Sequence, residues 1–339
     1  MFRSSSALSI RAGAFATIVA LTAGTAVQAS TIHTQAGAPV RALAATQTIK
    51  GAVAVSPSFT RIDNPGDPTF NQLLAIDNTG TISGYFGSGQ AGHPNQAYVT
   101  KPPYNQFVPN NLPTSTQTQV QAYIDGGTAS GFWSPSNTGT DQNFGFVELI
   151  SNGVVTYIDV NDPLTASTPK VNQVLGINKS LNAVGFYQDK NGAPHGYLYS
   201  VSTGKYLAVN VAGAVSDSAF GINQHNLICG AFTKADGHTD AFLESASTGK
   251  TITFHVPGFT NTQFLGVNDN GIAVGFYTDA QNIPHGVVYN SANGAYAIVN
   301  DPAGLNGTTL NGINDKNQVV GFYTDGATNT HGVLVTGIH

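Results

Sequence analysis

Residues 266–290 read GVNDNGIAVGFYTDAQNIPHGVVYN, and versions of this segment return along the chain at a nearly fixed interval. The other copies begin at Gly176, Gly221 and Gly312 and, in a looser form, at Ala75 and Ala122. A glycine in the middle of each copy serves as its marker, and the six marker glycines are Gly84, Gly131, Gly185, Gly230, Gly275 and Gly321. Their separations are 47, 54, 45, 45 and 46 residues. Six copies at this period indicate a propeller or a solenoid.

Each full copy divides into four short segments rich in β-branched and aromatic residues, which predict strands. In the clearest copy the predicted strands are 263–268, 272–278, 285–290 and 296–300. Asp269-Asn270-Gly271 lies between the first two and is typical of a two-residue hairpin turn. In the second strand the side chains on both faces of the sheet are apolar, so both faces must be covered. The small residues Ala273 and Gly275 should let a neighbouring sheet approach closely. Four-stranded antiparallel sheets stacked in this way form a β-propeller.

The two ends of the repeat region distinguish a closed ring from an open solenoid. The last copy has only three predicted strands, at 309–314, 318–324 and 331–336, and then the chain stops. Residues 58–63 match the pattern of a fourth strand, so we predict that they complete the last blade. Ring closure would remove exposed sheet edges, whereas a solenoid would need capping units. The predicted fold is an all-β, six-bladed propeller of four-stranded antiparallel blades over residues 57–339, closed by an N-terminal strand.

The beginning of the chain is typical of a secretory signal peptide. Arg3 and Arg11 precede an apolar run from Ala12 to Ala23, and small residues follow before Ser30. The run is shorter than the roughly 20 residues that span a bilayer, so we predict cleavage and no membrane span in the mature chain. We predict a signal peptide at 1–29, a disordered linker at 30–56, and secretion to the periplasm or the cell exterior.

Composition argues against a nucleic-acid partner. Residues 30–339 carry 11 Lys and Arg against 18 Asp and Glu, a net charge of −7. Such a surface repels nucleic acid and anionic lipid. The single cysteine, Cys229, replaces a valine of the other copies within a strand, so we predict a buried, inert thiol.

The repeated residues resemble a known family. The pattern G-I-N followed by V-V-G-F-Y and H-G-[FVYL]-L-Y is similar to the extracellular HAF-repeat family of bacterial exported proteins. The match is strong over residues 174–336 and departs from the pattern at Asp240-Ala241-Phe242. The resemblance implies export and a tandem β architecture. It implies no reaction and no catalytic residues.

Three copies carry an Asp and a His at fixed distances after the marker glycine. The pairs are Asp189 with His195, Asp279 with His285, and Asp325 with His331. In a functional interpretation, these pairs bind a metal ion or act as a general acid and a general base. A structural interpretation has each Asp accept hydrogen bonds from its own His or from loop amides. Asp–His pairs of different blades lie at equal distances from the axis of a ring, so they are too far apart to share one metal ion. We therefore favour the structural role. The repeated Asn of the G-I-N triplets should likewise bond turn amides.

The first two copies break the pattern with the loops 87–95, 101–118 and 134–143, and they contain the only tryptophan. Trp133, Tyr104 and Tyr85 are the candidate ligand-binding residues, because aromatic rings beside amide side chains suit stacking on sugar rings. Packing within the blades is the competing explanation.

These observations favour a secreted, non-catalytic binding or surface-interaction module for a glycan or another component of the cell envelope. We predict no catalytic residues and no cofactor, since no motif supports Ca²⁺ or another metal. The alternative is an extracellular hydrolase or lactonase, metal-dependent or not, with its site in the central mouth. A third interpretation is a structural component of a matrix. Several unrepeated Asp, Glu, Asn or His residues that converge at the inner ends of the top loops would favour the hydrolase.

Overall fold

The computed structural model describes residues 51–138 and 140–338, and every regular element in these ranges is a β-strand. A first strand, β1 (Ser58–Arg61), precedes the repeats. Blade 1 contains β2 (Asn71–Ile76), β3 (Ile82–Phe86), β4 (Gln96–Thr100) and β5 (Phe107–Pro109). Blade 2 contains β6 (Gln117–Tyr123), β7 (Ala129–Ser134), β8 (Phe144–Ser151) and β9 (Val154–Asp159). Blade 3 contains β10 (Asn172–Ile177), β11 (Asn182–Gln188), β12 (Pro194–Ser200) and β13 (Lys205–Ala208).

The remaining blades repeat this order. Blade 4 contains β14 (Ala214–Ile222), β15 (Leu227–Lys234), β16 (Thr239–Ser245) and β17 (Thr251–Phe254). Blade 5 contains β18 (Thr262–Val267), β19 (Ile272–Thr278), β20 (Pro284–Asn290) and β21 (Tyr296–Ile298). Blade 6 contains β22 (Thr308–Ile313), β23 (Val319–Thr324) and β24 (Thr330–Thr336). Each blade is a four-stranded antiparallel sheet, and the chain is a six-bladed β-propeller, as predicted.

The ring closes through the N-terminal strand, as the end pattern predicted. Strand β1 pairs antiparallel with β24, from Ser58 opposite Thr336 to Arg61 opposite Val333. The amide of Ile62 continues the ladder by donating to Gly332 O at 2.9 Å. Ile62 is 4% exposed and packs in a cluster that joins blade 6 to blade 1. Buried apolar clusters of this kind lie between all neighbouring blades, so the core is divided among the interfaces.

The predicted linker ends earlier than expected. Ala52 forms a parallel bridge with Tyr296, and the amide of Val53 donates to Tyr296 O at 2.8 Å. Residues just before β1 thus extend the outer edge of blade 5, so the prediction of disorder up to residue 56 is wrong for this part. The signal peptide at 1–29 and the rest of the linker lie outside the described residues.

The marker glycines are required for a different reason from the one predicted for Gly275. A Cβ at Gly275 would lie 1.9 Å from Gln263 O, on the first strand of the same blade. The corresponding distances at the other five marker glycines are 1.9–2.5 Å. Each glycine faces a β-bulge in the first strand, which turns a carbonyl toward it. Gly275 therefore accommodates its own blade, and not a neighbouring sheet.

The glycine of the G-I-N triplets accounts for the narrow axis. A Cβ at Gly266 would lie 2.7 Å from Asn311 O in the next blade, and one at Gly176 would lie 2.9 Å from the Cα of Gly221. Even a methyl group at Gly266 or Gly176 would push the first strands of neighbouring blades apart. The four glycines of the triplets, with alanine at the matching positions 75 and 122, let the six first strands surround a narrow central channel.

The turn between the first and second strands also differs from the prediction. The amide of Gly271 donates to Asn268 O, and Gly271 has a φ of +74° while Asn270 does not have a positive φ. This is a three-residue loop that ends in a left-handed residue, and not a two-residue turn in which both residues have positive φ. The residue equivalent to Gly271 is left-handed in blade 3 and blade 4 as well, where Leu181 and Asn226 occupy it.

Candidate functional site at the mouth of the central channel

The two ends of the propeller carry different connections. The turn end carries the short turns between first and second strands and between third and fourth strands. The loop end carries the connections between second and third strands and those between blades. A cavity of about 130 Å³ lies on the axis at the turn end, between the last residues of the six first strands.

The deeper wall of this cavity consists of one residue from the bulge of each first strand. These residues are 3–8% exposed, and we call them the bulge ring: Leu74, Gln121, Leu175, Phe220, Leu265 and Asn311. Leu175, Phe220 and Leu265 belong to a single buried cluster with phenylalanines of the second strands. The bulge ring is therefore apolar on the side of blades 3 to 5 and carries amides in blades 2 and 6.

The outer edge of the cavity is a second ring of six residues, one from each turn, which we call the rim ring: Asn78, Asp125, Lys179, Gln224, Asp269 and Asp315. Five neighbouring pairs are joined by a backbone amide that donates to a side-chain oxygen of the next blade, at 2.8–3.1 Å. Between blades 2 and 3 the Lys179 ammonium instead contacts Asp125 Oδ2 at 2.9 Å. The rim ring is thus a closed circle of polar contacts.

The repeated Asn of the G-I-N triplets lies just behind the rim ring. Asn178 Oδ1 accepts hydrogen bonds from the amides of Ser180 and Asn182, which confirms the predicted contact with turn amides. Its Nδ2 also donates to Asn223 O of the next blade at 3.0 Å. The same link to the next blade is made by Asn223, Asn268 and Asn314. These side chains therefore shape the turns and connect neighbouring blades.

The cavity has a negative charge balance. Asp77, Asp125 and Asp315 line it, and Lys179 is the basic residue among the lining residues. The hydrogen bond and charge of Asp125 raise the pKa of Lys179, with smaller contributions from Asp269 and Asp315. Lys179 is exposed, so the effect of this contact on stability is small.

Neither ring was predicted from the sequence. The loops 87–95, 101–118 and 134–143 were the predicted location of a site, whereas the unrepeated residues that converge lie in the tight turns between first and second strands. A signal was present in the repeats, because the residue after the repeated Asn or its equivalent differs from blade to blade as Asn, Asp, Lys, Gln, Asp and Asp. The sequence did not show that this position faces the axis.

The three Asp–His pairs lie at the loop end, away from the cavity. The His to Asp distances are 3.4 Å for His195–Asp189, 3.1 Å for His285–Asp279 and 3.3 Å for His331–Asp325. In each pair the Asp Oδ1 also accepts two amides of its own loop. Both kinds of hydrogen bond that the structural interpretation expects are present.

His331 differs from the other two histidines because it takes part in ring closure. Its Nε2 contacts Asp325, and its Nδ1 contacts Asp63 Oδ2 at 2.9 Å. Asp63 follows β1, and its Oδ1 accepts the amide of Gly332 at 2.9 Å. The His331 side chain is 4% exposed, compared with 24% for His285 and 40% for His195. The last blade thus uses the repeated pair to hold the N-terminal strand.

Removing these side chains should reduce stability in the order of their burial. We expect His285→Ala and Asp279→Ala each to lower the free energy of unfolding by about 1–2 kcal/mol, and His195→Ala to lower it by less than about 1 kcal/mol. His331→Ala should have the largest effect of the three. Urea denaturation monitored by fluorescence provides the measurement, with Asp236→Ala as a control because the Asp236 side chain is 61% exposed. A His285→Ala variant that kept its stability but lost ligand binding would contradict the structural role.

The Asp279 contact should also make stability depend on pH. Burial opposes ionisation, but the hydrogen bonds from His285 and from the amides of Ile283 and Gln281 outweigh it and lower the pKa of Asp279. Because the folded-state pKa is lowered, the stabilisation is present above the ordinary Asp pKa of about 4 and is lost as the pH falls through the folded-state value. Asp279→Asn should flatten this part of the pH profile.

The three aromatic candidates are not brought together. Tyr85 is fully buried and its hydroxyl donates to Gln72 Oε1, so the proposal that Tyr85 stacks on a ligand is wrong for this conformation. Tyr104 lies at the turn end, where its hydroxyl donates to Gly80 O at 3.0 Å. Trp133 lies at the loop end and packs on Phe144, with 5.3 Å between ring centroids. Trp133 and Tyr104 are therefore at opposite ends of the propeller.

Within 51–138 and 140–338 no group of three or more His, Cys, Asp or Glu side chains could hold a metal ion. No helix in the described part of the chain is long and apolar enough to cross a membrane. Cys229 is fully buried, and burial raises the pKa of its thiol, which agrees with the predicted inert role.

Comparisons with known proteins bear on the fold. No family model matches the chain, and no curated protein matches it in sequence. Among solved structures it is similar to AofleA from Arthrobotrys oligospora, with a TM-score of 0.53, 13% identity, and coverage of 84% of this chain and 87% of that chain. TolB from Acinetobacter baumannii gives a TM-score of 0.49, 11% identity, and coverage of 80% of this chain and 65% of that chain.

A lectin from Aleuria aurantia, solved as a mutant in complex with Fucalpha1-6GlcNAc, gives a TM-score of 0.47 and 10% identity. The matched region covers 77% of this chain and 90% of the lectin chain. At these sequence identities the similarities concern the fold alone. The fold and the site together define the class of this protein as a six-bladed β-propeller with a polar mouth at one end.

Proposed function

We propose that this protein is a secreted, non-catalytic binding module whose ligand enters the mouth at the turn end. The ligand belongs to the cell envelope or its surroundings, with a glycan as the first candidate. Export through the segment 1–29 and membership of the HAF-repeat family are parts of the same proposal, and they rest on the sequence patterns. The neighbouring lectin structure in complex with Fucalpha1-6GlcNAc supports a search for glycans first.

One observation carries the proposal. The repeats agree closely at the residues that build the turns, including the Asn of the G-I-N triplets, yet they differ at the rim ring and in the bulge ring. A propeller that only needed to close its axis could use one residue at all six positions. The variable positions instead surround a cavity of about 130 Å³, which gives the mouth an asymmetric set of charges and amides. Asymmetric lining is what recognition of a specific small group requires.

Blocking the mouth provides the test. Gln224 belongs to the rim ring and is partly exposed, so Gln224→Trp should cover the opening without entering the core. We expect the wild-type chain to bind glycans or envelope fragments on an array and Gln224→Trp to lose that binding by at least tenfold. His238→Trp is the matched control, because His238 is exposed on a loop at the opposite end. Equal binding by all three proteins would place the ligand elsewhere.

A hydrolase remains the second candidate, and one observation favours it. Asp125 and Asp315 both contact Asn78, through its backbone amide at 3.1 Å and its Nδ2 at 2.6 Å. Two carboxylates on either side of one residue at a cavity mouth could act as an acid and a base. Chromogenic glycosides and lactones offered to the purified chain would test this. Turnover by the wild type that is abolished in Asp125→Asn would contradict the binding module and support an enzyme.

A further inference from the structure

The mouth offers hydrogen-bond acceptors more readily than donors. Asp125 and Asp315 of the rim ring line it, and Asp77, whose Oδ1 accepts the amides of Thr79 and Thr81, lies behind them. The lining amides of Asn223, Asn268 and Asn314 donate their N–H groups to backbone oxygens of the next blade, and Asn78 Nδ2 donates to Asp315. The Lys179 ammonium is bound by Asp125. A ligand that supplies donors, or positive charge, is therefore favoured over an anion.

The two amides of the bulge ring extend this acceptor character into the cavity. Gln121 is 8% exposed and Asn311 is 6% exposed, and both line the cavity. Gln121 Nε2 donates to Gln119 Oε1 at 2.8 Å, and Asn311 Nδ2 donates to Leu73 O at 2.7 Å. Each of these amides uses one of its two N–H groups within the protein, so its carbonyl oxygen and one N–H group are what it can offer to a ligand.

Apolar surface completes the lining. Leu74, Leu175, Phe220 and Leu265 occupy the other four positions of the bulge ring. The cavity, at about 130 Å³, is close in size to an engineered apolar cavity of about 150 Å³ that binds benzene. A group of roughly that size, apolar along its length and cationic at one end, matches both the volume and the lining.

We propose that the mouth binds a primary ammonium group carried on a short aliphatic stem, as in a lysine side chain or an alkylamine. The inference rests on the proposed function, in that it assigns a ligand class to the same mouth. The ammonium would lie among the carboxylates of the rim and the amide oxygens of the bulge ring, and the stem would contact the leucines and Phe220.

Lys179 gives an internal precedent. Its ammonium lies 2.9 Å from Asp125 Oδ2, so the mouth already binds one cation of this class at its edge. The same contact means that Lys179 competes with a ligand for negative charge. Replacing Lys179 by Gln should therefore strengthen binding of an external ammonium, a result that a purely structural rim ring would not produce.

The experiment is an NMR titration of the full mature chain with n-butylammonium, with 1-butanol as the neutral probe of the same shape. We expect saturable binding of n-butylammonium and none of 1-butanol at equal concentration. Asp315→Asn should weaken binding at least tenfold, and Lys179→Gln should tighten it at least threefold. Gln121→Leu removes an acceptor outside the rim ring, so it should weaken binding even if Asp315→Asn fails to fold. Asp236→Asn, at the loop end, is the control and should bind like the wild type.

Three outcomes would overturn the inference: equal binding of 1-butanol, displacement of n-butylammonium by millimolar Ca²⁺ as the preferred ligand, or no response to Gln121→Leu and Lys179→Gln. The proposed function is tested separately by the Gln224→Trp variant. If Gln224→Trp loses binding of a neutral glycan while n-butylammonium does not bind, the ammonium inference fails and the binding module stands. If no probe of either kind depends on the mouth, both fail.

Discussion

A chain that begins at Pro65 should unfold at a lower temperature and less cooperatively than a chain that begins at Gly51. The shorter chain lacks β1, so β24 loses the partner that pairs with it from Val333 to Thr336. It also lacks Ile62 in the cluster between blades 6 and 1, and Asp63 beside His331. We expect the midpoint of thermal unfolding to fall by about 10 °C or more, since a loss of several kcal/mol has that effect in a domain of this size.

Calorimetry and fluorescence provide the measurement, because coincident transitions by two probes define cooperative unfolding. A synthetic peptide of residues 57–64, added in excess, should restore part of the lost stability by occupying the open edge of β24. An unchanged transition in the shorter chain would refute closure through β1. It would mean that a three-stranded last blade is stable without its fourth strand.

Gly275→Ala should be among the most destabilising methyl additions in the described part of the chain. The added Cβ would lie 1.9 Å from Gln263 O and 2.9 Å from the Cα of Phe264, and both are backbone atoms of the same blade. The backbone cannot move aside as a flexible side chain could, so the bulge in the first strand must deform. We expect a loss of more than about 3 kcal/mol in the free energy of unfolding, measured by urea denaturation.

Gly294→Ala is the matched control. Gly294 has a φ of +74° and no heavy atom within 4 Å of its hypothetical Cβ, so the substitution has a conformational cost but no clash. We expect a loss of about 1–2 kcal/mol from the left-handed backbone alone. A loss at Gly275 no larger than that at Gly294 would contradict the carbonyl clash as the reason for the marker glycine, since Gly275 itself does not have a positive φ.

The repeat by itself determined most of the fold. The period of the marker glycines indicated six units, and the strand pattern within residues 263–300 indicated four strands each. The missing fourth strand of the last copy identified residues 58–63 as its partner. These predictions succeed because each depends on local pattern repeated several times, so errors in one copy are corrected by the others. The Asn of the G-I-N triplets could be assigned to turn amides for the same reason.

The site depended on tertiary structure. A β-bulge inserts one residue and reverses the alternation of side chains after it, so the sequence did not show that Gln121 and Asn311 face the axis. The rim ring joins residues far apart in the chain, as in the contact between Asn78 and Asp315, and only closure of the ring brings them together. Composition and spacing determined that this chain forms a propeller. The register of six bulges and the radius of the ring decided which of its polar residues surround the mouth.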